Sequence, residues 1–191
     1  MQELEVYLCR HGETDWARFG KHTGRTDVPL TEHGKLESKQ LAQRLRKVQW
    51  RQVVTSPLQR AAETCELAGL GKDAMRDPDA MEWDYGQYEG LTLTEICKKN
   101  ASWDLFKDGA PGGESVQQIS ARADRLLQKL CAGPGNVALF SHGHFLHVLA
   151  ARWLGLPAGQ GWFFYLSVAS LSILGFEHGR PVIKLWNGRV S

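Results

Sequence analysis

The chain has 191 residues, 42% of them hydrophobic, with 23 lysines and arginines against 21 aspartates and glutamates, a formal net charge of +2. That length supports one ordinary domain over residues 1–191, and the composition excludes both a disordered chain and a membrane bundle. The near balance of charge excludes the broad basic surface of a general nucleic-acid binder, so any strong positive field must be local.

Leu4 to Cys9 is a compact apolar run that reads as a first strand and ends at Arg10-His11-Gly12. Glu3 and Glu5, with no basic run beside them, argue against a signal peptide there, and the expectation is a cytoplasmic protein. Cys9, Cys65, Cys97 and Cys131 form no C-x-x-C pair and read as small buried fillers in a reducing compartment. Glu32 to Val48 brings Leu36, Leu41, Leu45 and Val48 near one helical face. Gln52 to Thr55 is a second short strand, followed by Ser56-Pro57-Leu58-Gln59. There Ser56 is expected to cap a helix, Pro57 to take its first position and Gln59 to complete a capping box.

Thr92 to Glu95 repeats the box before a short helix. Asp108 to Gly113 reads as a surface loop. Ser115 to Gln118 is a further box, and Val116, Ile119, Ala123, Leu126, Leu127 and Leu130 give the clearest helical stripe in the chain. Asn136 to Phe140 reads as a buried strand. After Ser141-His142-Gly143-His144 a helix should run to Gly155 and Pro157. The tail reads as strands at 163–174 and 182–186 around a turn at His178-Gly179-Arg180. The longest uncharged stretch, Trp153 to Phe176, is broken by Pro157 and glycines, and its apolar part falls short of the roughly 20 residues that a membrane helix needs. The fold expected is α/β, a three-layer sandwich with a mainly parallel central sheet.

Arg10-His11-Gly12, Ser56 to Arg60, Glu82 and Ser141 to His144 are far apart in sequence, yet most follow candidate strands. In an open parallel sheet the carboxyl ends of the strands form one rim, where ligands bind. Two arginines, two or three histidines and a carboxylate gathered there suit a phosphate monoester. Guanidinium groups fork onto oxyanions, helix N-termini add N–H donors, a neutral imidazole can attack phosphorus, and a carboxylic acid can protonate the departing alkoxide.

The run Leu8-Cys9-Arg10-His11-Gly12-Glu13-Thr14 followed by Trp16 resembles the signature of the histidine phosphatase superfamily, in its phosphoglycerate mutase-like branch. Thr23-Gly24, Asp27, Leu30-Thr31, Gly34, Ser56-Pro57-Leu58 with Arg60-Ala61, Glu82 with Tyr85-Gly86 and Glu89-Gly90, Gly113-Glu114-Ser115 and Ser141-His142-Gly143 follow in the family's order. The resemblance implies that His11 becomes phosphohistidine, that Arg10, Arg60 and His142 bind the transferring phosphoryl group, and that Glu82 is acid and then base. Thr14, Thr23, Gly24, Gly143 and His144 are the expected lining of the substrate pocket. Trp16 and Trp83 are the aromatic candidates for its wall.

No cofactor is implied. His142, His144 and His147 lie within six residues but lack an H-E-x-x-H spacing, and the family chemistry uses His142 without a metal, so no metal is expected. Ala17 stands where mutase-like members commonly have Asn. The segment between Gly90 and Gly113 is too short for the basic insertion with which the mutases hold a second phosphate. Hydrolysis of a small phosphorylated metabolite is therefore expected. Glu82 to Gly90, with Trp103 and Ser141 to His144, most resembles the sedoheptulose bisphosphatase-type members, which makes a sugar phosphate the leading substrate class. A phosphoglycerate mutase, a phosphoprotein phosphatase and an inactive phospholigand-binding protein remain the alternatives. No nucleic-acid or membrane partner is expected, and the sequence leaves the oligomeric state open.

Overall fold

Strands that alternate their side chains between two helix layers set the architecture. In the computed structural model, which describes residues 3–189, β1 (Glu5–Arg10) turns Val6 and Leu8 to one face and Cys9 to the other. β4 (Asn136–Ser141) does the same with Val137 and Leu139 against Ala138 and Phe140. The sheet order is β3-β2-β4-β1-β5-β6, with β2 at Trp50–Thr55, β3 at Ala74–Arg76, β5 at Leu171–Glu177 and β6 at Arg180–Gly188. The first four of these pair in parallel; β5 runs antiparallel to β1, and β6 antiparallel to β5. This is the expected mainly parallel α/β sandwich.

One face is covered by α2 (Glu32–Leu45) and α3 (Gln59–Leu67), through Leu41, Leu45 and Cys65. The other carries α6 (Val116–Leu130) and α7 (Gly143–Trp153). α6 buries Ile119, Ala123, Leu126 and Leu130 completely, and each large aliphatic among them contributes roughly 1.5–3 kcal/mol relative to exposure. Shorter helices α1 (Asp15–Arg18), α4 (Leu93–Lys99) and α5 (Leu105–Asp108) occupy the connections. Thr92 and Ser115 form the expected capping boxes with Glu95 and Gln118. Among the described residues no helix is long and apolar enough to cross a membrane.

Register places the site. Arg10 pairs with Ser141 and Thr55 with Phe140, so three strands end level, and Ser56, His11 and His142 leave the sheet side by side. His11 N–H donates to Ser141 O at 3.0 Å and Ser56 N–H to Phe140 O at 2.9 Å, which extends the ladder one residue past the strands.

Several local expectations are corrected. Ser56 does not cap α3, whose first residue is Gln59. Ser56 Oγ is engaged by His142, and Asp27 reaches across instead, its Oδ1 accepting from Gln59 N–H at 2.8 Å. α2 stops at Leu45 rather than Val48, and Leu36 is exposed because its buried stripe runs through Gly34, Ser38, Leu41 and Leu45. Residues 158–163 form a 3-10 turn and β5 begins only at Leu171, not at Phe163. The end of β1 captures the intervening chain: Ala169 N–H donates to His11 O, and Arg10 N–H to Ser170 O. Cys131 is exposed and Cys97 half-buried, so only Cys9 and Cys65 are buried fillers. The tail hairpin turns at His178-Gly179, both at positive φ (50° and 73°), a two-residue turn whose twist matches that of its strands.

Candidate active site

His11 is 4% exposed at the end of β1. Its Nδ1 lies 2.8 Å from Gly12 O. A carbonyl only accepts, so Nδ1 carries the proton and Nε2 keeps its lone pair. Burial, with Arg60 and Arg10 close by, pushes the His11 pKa well below the ordinary histidine value, so the ring stays neutral. The geometry thus holds an unprotonated imidazole nitrogen at a fixed orientation.

Arg10 lines the same cavity. Its Nη1 donates to Leu166 O at 2.5 Å, while its Nε is buried without a partner. Gly143 lies directly against this guanidinium: a Cβ there would sit 3.2 Å from Arg10 Cζ, so the absent side chain is what lets Arg10 lie across the start of α7.

Arg60 and His142 are fully buried behind His11, whose ring centroid is 5.2 Å from that of His142. Arg60 Nε donates to His142 Nδ1 at 3.1 Å. Its Nη1 donates to Thr26 O, and its Nη2 to Thr23 O and Gly24 O. Of five guanidinium N–H groups these four are committed, leaving one on Nη1.

Glu82 is 5% exposed. Its Oε1 accepts from Trp83 N–H at 2.9 Å and Phe145 N–H at 2.8 Å, and its Oε2 from His144 N–H at 3.1 Å. It therefore occupies two donors of the first turn of α7. Those bonds, Arg60 and Arg10 favour the carboxylate, but burial outweighs them and raises the Glu82 pKa. A carboxyl whose pKa is raised by burial, beside a neutral imidazole, can deliver a proton to a leaving group and later take one back.

The cavity these residues open into is about 220 Å³. Of the expected pocket residues, Arg10, His11, Glu82, Thr23, Gly143 and His144 line it. Thr14 does not: its hydroxyl is buried and accepts from Ala17 N–H as the N-cap of α1. Nor does Gly24, which supports Arg60 through its carbonyl and has no room for a Cβ against Trp83 O. Trp83 is a core residue, its Nε1 donating to Glu114 O, and Trp16 packs its ring on Gly90. The aromatic wall is instead Tyr85 and Tyr165, joined by Lys21, His22 and His147. His22 directly precedes Thr23-Gly24 in sequence, a signal that could have found it. His147 was expected only as part of the helix, yet α7 places it one turn on from His144, on the same side.

Arg122 is the buried support that the helical stripe of α6 concealed. It clamps Glu114 with Nε and Nη2 at 2.8 and 2.7 Å, and donates to the carbonyls of Asp79, Met81 and Glu82. The loop presenting Glu82 is thereby tied to α6.

A rim at the carboxyl ends of central strands, carrying a neutral histidine, a buried acid and two arginines, suits a phosphoryl-transfer enzyme of the phosphatase class. The chain belongs to the histidine phosphatase superfamily (branch 1), whose family model matches residues 6–189. It is 40% identical over 178 residues to an acid phosphatase of Mycobacterium tuberculosis, covering 91% of this chain and 87% of that one. It is 32% identical over 181 residues to the sedoheptulose 1,7-bisphosphatase of Saccharomyces cerevisiae (78% and 67% covered). It is 38% identical over 165 residues to a probable phosphoglycerate mutase of Cronobacter sakazakii (81% and 77% covered). The solved structure of the open reading frame Rv3214 from M. tuberculosis superposes with a TM-score of 0.92 at 36% identity, covering 98% of this chain and 99% of that one. The protein is a phosphatase acting on phosphorylated small molecules.

Proposed function

We propose that the enzyme hydrolyses sugar phosphates through a phosphohistidine on His11. The observation that carries this reading is the composition of the cavity beyond Arg10, His11 and Glu82. Lys21 is its one lysine or arginine there; the other polar side chains are His22, Thr23, Tyr85, His144, His147 and Tyr165. Burial lowers the pKa of all three of those histidines, so they present neutral donors and acceptors suited to alcohol groups. No lining residue comes from between Gly90 and Gly113, the segment in which a mutase-type clamp for a second phosphate is expected.

In the first step Nε2 of His11 attacks phosphorus, the bond to the leaving oxygen breaks, and the Glu82 carboxyl proton passes to the departing alkoxide. Arg10 binds the equatorial oxygens through its uncommitted Nε. The remaining Arg60 N–H supplies further positive potential behind the transferring group, and neutral His142, its Nε2–H given to Ser56, holds Arg60 in place by accepting from its Nε. In the second step water attacks the phosphohistidine, its proton goes to the Glu82 carboxylate, the P–N bond breaks, and His11 regains its lone pair. The cytoplasm is the proposed location.

Phosphate release from sugar mono- and bisphosphates, compared with interconversion of phosphoglycerates with and without bisphosphoglycerate, tests this reading. Efficient sugar-phosphate hydrolysis is expected. Interconversion with negligible hydrolysis would replace the phosphatase with the mutase that several relatives are named for.

A further inference from the structure

Four histidines line the cavity: His11, His22, His144 and His147. Three are anchored by one ring nitrogen. His11 Nδ1 meets Gly12 O, His22 Nδ1 meets Leu91 O at 2.9 Å, and His144 Nδ1 meets Tyr85 Oη at 2.6 Å. His147 is different, because both its ring nitrogens are buried and neither has a partner. The ring is held by apolar contact alone: it stacks on Phe106 (centroids 6.0 Å, planes 11° apart) and meets His144 edge-on at 5.6 Å.

Burial without hydrogen bonds is costly for an imidazole, and a phenyl or isobutyl group would fill this place without that cost. Of the cavity residues, only Arg10 and His147 carry buried side-chain nitrogens lacking a partner. Arg10 belongs to the phosphoryl end, where an oxyanion supplies what its Nε lacks. His147 lines the same cavity three residues along α7 from His144, and its nitrogens have no such assigned partner.

We infer that His147 is a specificity-determining residue that recognises hydroxyl groups of the leaving alcohol. The inference rests on the sugar-phosphate reading above. A neutral imidazole offers one N–H and one lone pair, and an alcohol offers one O–H and lone pairs of its own. A hydroxyl of a sugar or polyol can therefore satisfy either nitrogen, by donating to the lone pair or accepting from the N–H. A hydrocarbon leaving group of the same length would leave both unsatisfied, which is how a buried polar group discriminates most strongly.

The test compares kcat/KM for erythritol 4-phosphate and n-butyl phosphate, which share a four-carbon chain and differ in hydroxyls. It uses the wild type, His147→Phe, which keeps the ring stack on Phe106, His147→Leu, and His147→Gln, which restores a donor and an acceptor. The preference for the hydroxylated substrate should fall about 10-fold in the Phe and Leu variants, chiefly through KM, and recover in part with Gln. A wild-type preference that persists in folded Phe and Leu variants would overturn the inference and leave the sugar-phosphate reading standing. A wild type that hydrolyses butyl phosphate as well as erythritol phosphate would overturn both.

Discussion

His142 accepts a hydrogen bond at Nδ1 from Arg60 Nε, 3.1 Å away, while its Nε2 lies 2.8 Å from Ser56 Oγ. An arginine Nε only donates, so the His142 proton resides on Nε2 and is given to Ser56. Burial and Arg60 push the His142 pKa well below the usual histidine value, consistent with this neutral tautomer. Arg60 thus fixes the ring while its Nη atoms gather the carbonyls of Thr23, Gly24 and Thr26. Arg60→Lys would keep the charge and lose the fork. A fall in kcat/KM of about 100-fold or more is expected, with a lower Tm from carbonyls left unpaired. A near wild-type rate for the Lys variant would show that charge alone suffices.

Replacing His11 by Ala removes the one unprotonated nitrogen that Gly12 O orients toward the cavity. The variant should fold and show essentially no turnover, and wild type but not variant should take up acid-labile phosphate from substrate. Normal turnover by the purified variant would exclude the phosphohistidine route.

The rim where strands end was legible in sequence, because Arg10-His11, Ser56 and Ser141-His142 each follow a short apolar run. The far wall was not. Tyr165 sits in an apolar stretch that reads as a strand. It is a cavity residue because β5 begins only at Leu171, after residues 169–170 are tied to the end of β1, an interaction between segments about 160 residues apart. Thr14 was misread for the opposite reason, since a hydroxyl beside a signature motif is still most economically used as a cap. Arg122 was hidden because a polar residue within a helical stripe reads as solvated until its partner, Glu114, is known to be buried with it.

Glu82→Gln should separate the two proton transfers from the fold. The amide oxygen can still accept from Trp83 and Phe145 N–H, although the bond to His144 N–H is lost. The rate loss should be large for sugar phosphates and small for aryl phosphates whose leaving groups need little protonation. Because burial raises the Glu82 pKa and lowers that of His11, the competent pair is protonated Glu82 with neutral His11. The rate of the first step should fall as pH rises through the Glu82 pKa, and this alkaline limb should vanish in the variant. An unchanged profile would assign the acid to another group.

Arg122→Ala would leave Glu114 charged, largely buried and without its cation. Removal of one partner from such a pair costs roughly 3–5 kcal/mol, and the carbonyl of Glu82 would lose its donor as well. Urea denaturation should register that loss, and kcat should fall in the fraction that remains folded. A double variant, Arg122→Met with Glu114→Leu, should recover stability without recovering kcat, because the Glu82 loop still lacks its ties. Full recovery of both would make the pair purely structural.

Stability should depend on pH through the buried imidazoles. Burial lowers the pKa of His147 to about 3, against an ordinary histidine value of 6.5. As pH falls below 6.5 the unfolded chain binds a proton that the folded chain refuses, so stability is lost progressively down to about pH 3. For His147 alone the loss between pH 7.5 and 5.0 is about 2 kcal/mol, at 1.36 kcal/mol per unit. His11, His22, His142 and His144 are shifted in the same direction and add to it. Glu82 opposes them, since its raised pKa lets the folded chain take up a proton first. Urea unfolding of wild type and His147→Phe at the two pH values isolates one contribution. The variant should gain about 2 kcal/mol on wild type between pH 7.5 and 5.0. Parallel pH dependences would mean that His147 is protonated in the folded protein, and its two nitrogens would then both be donors.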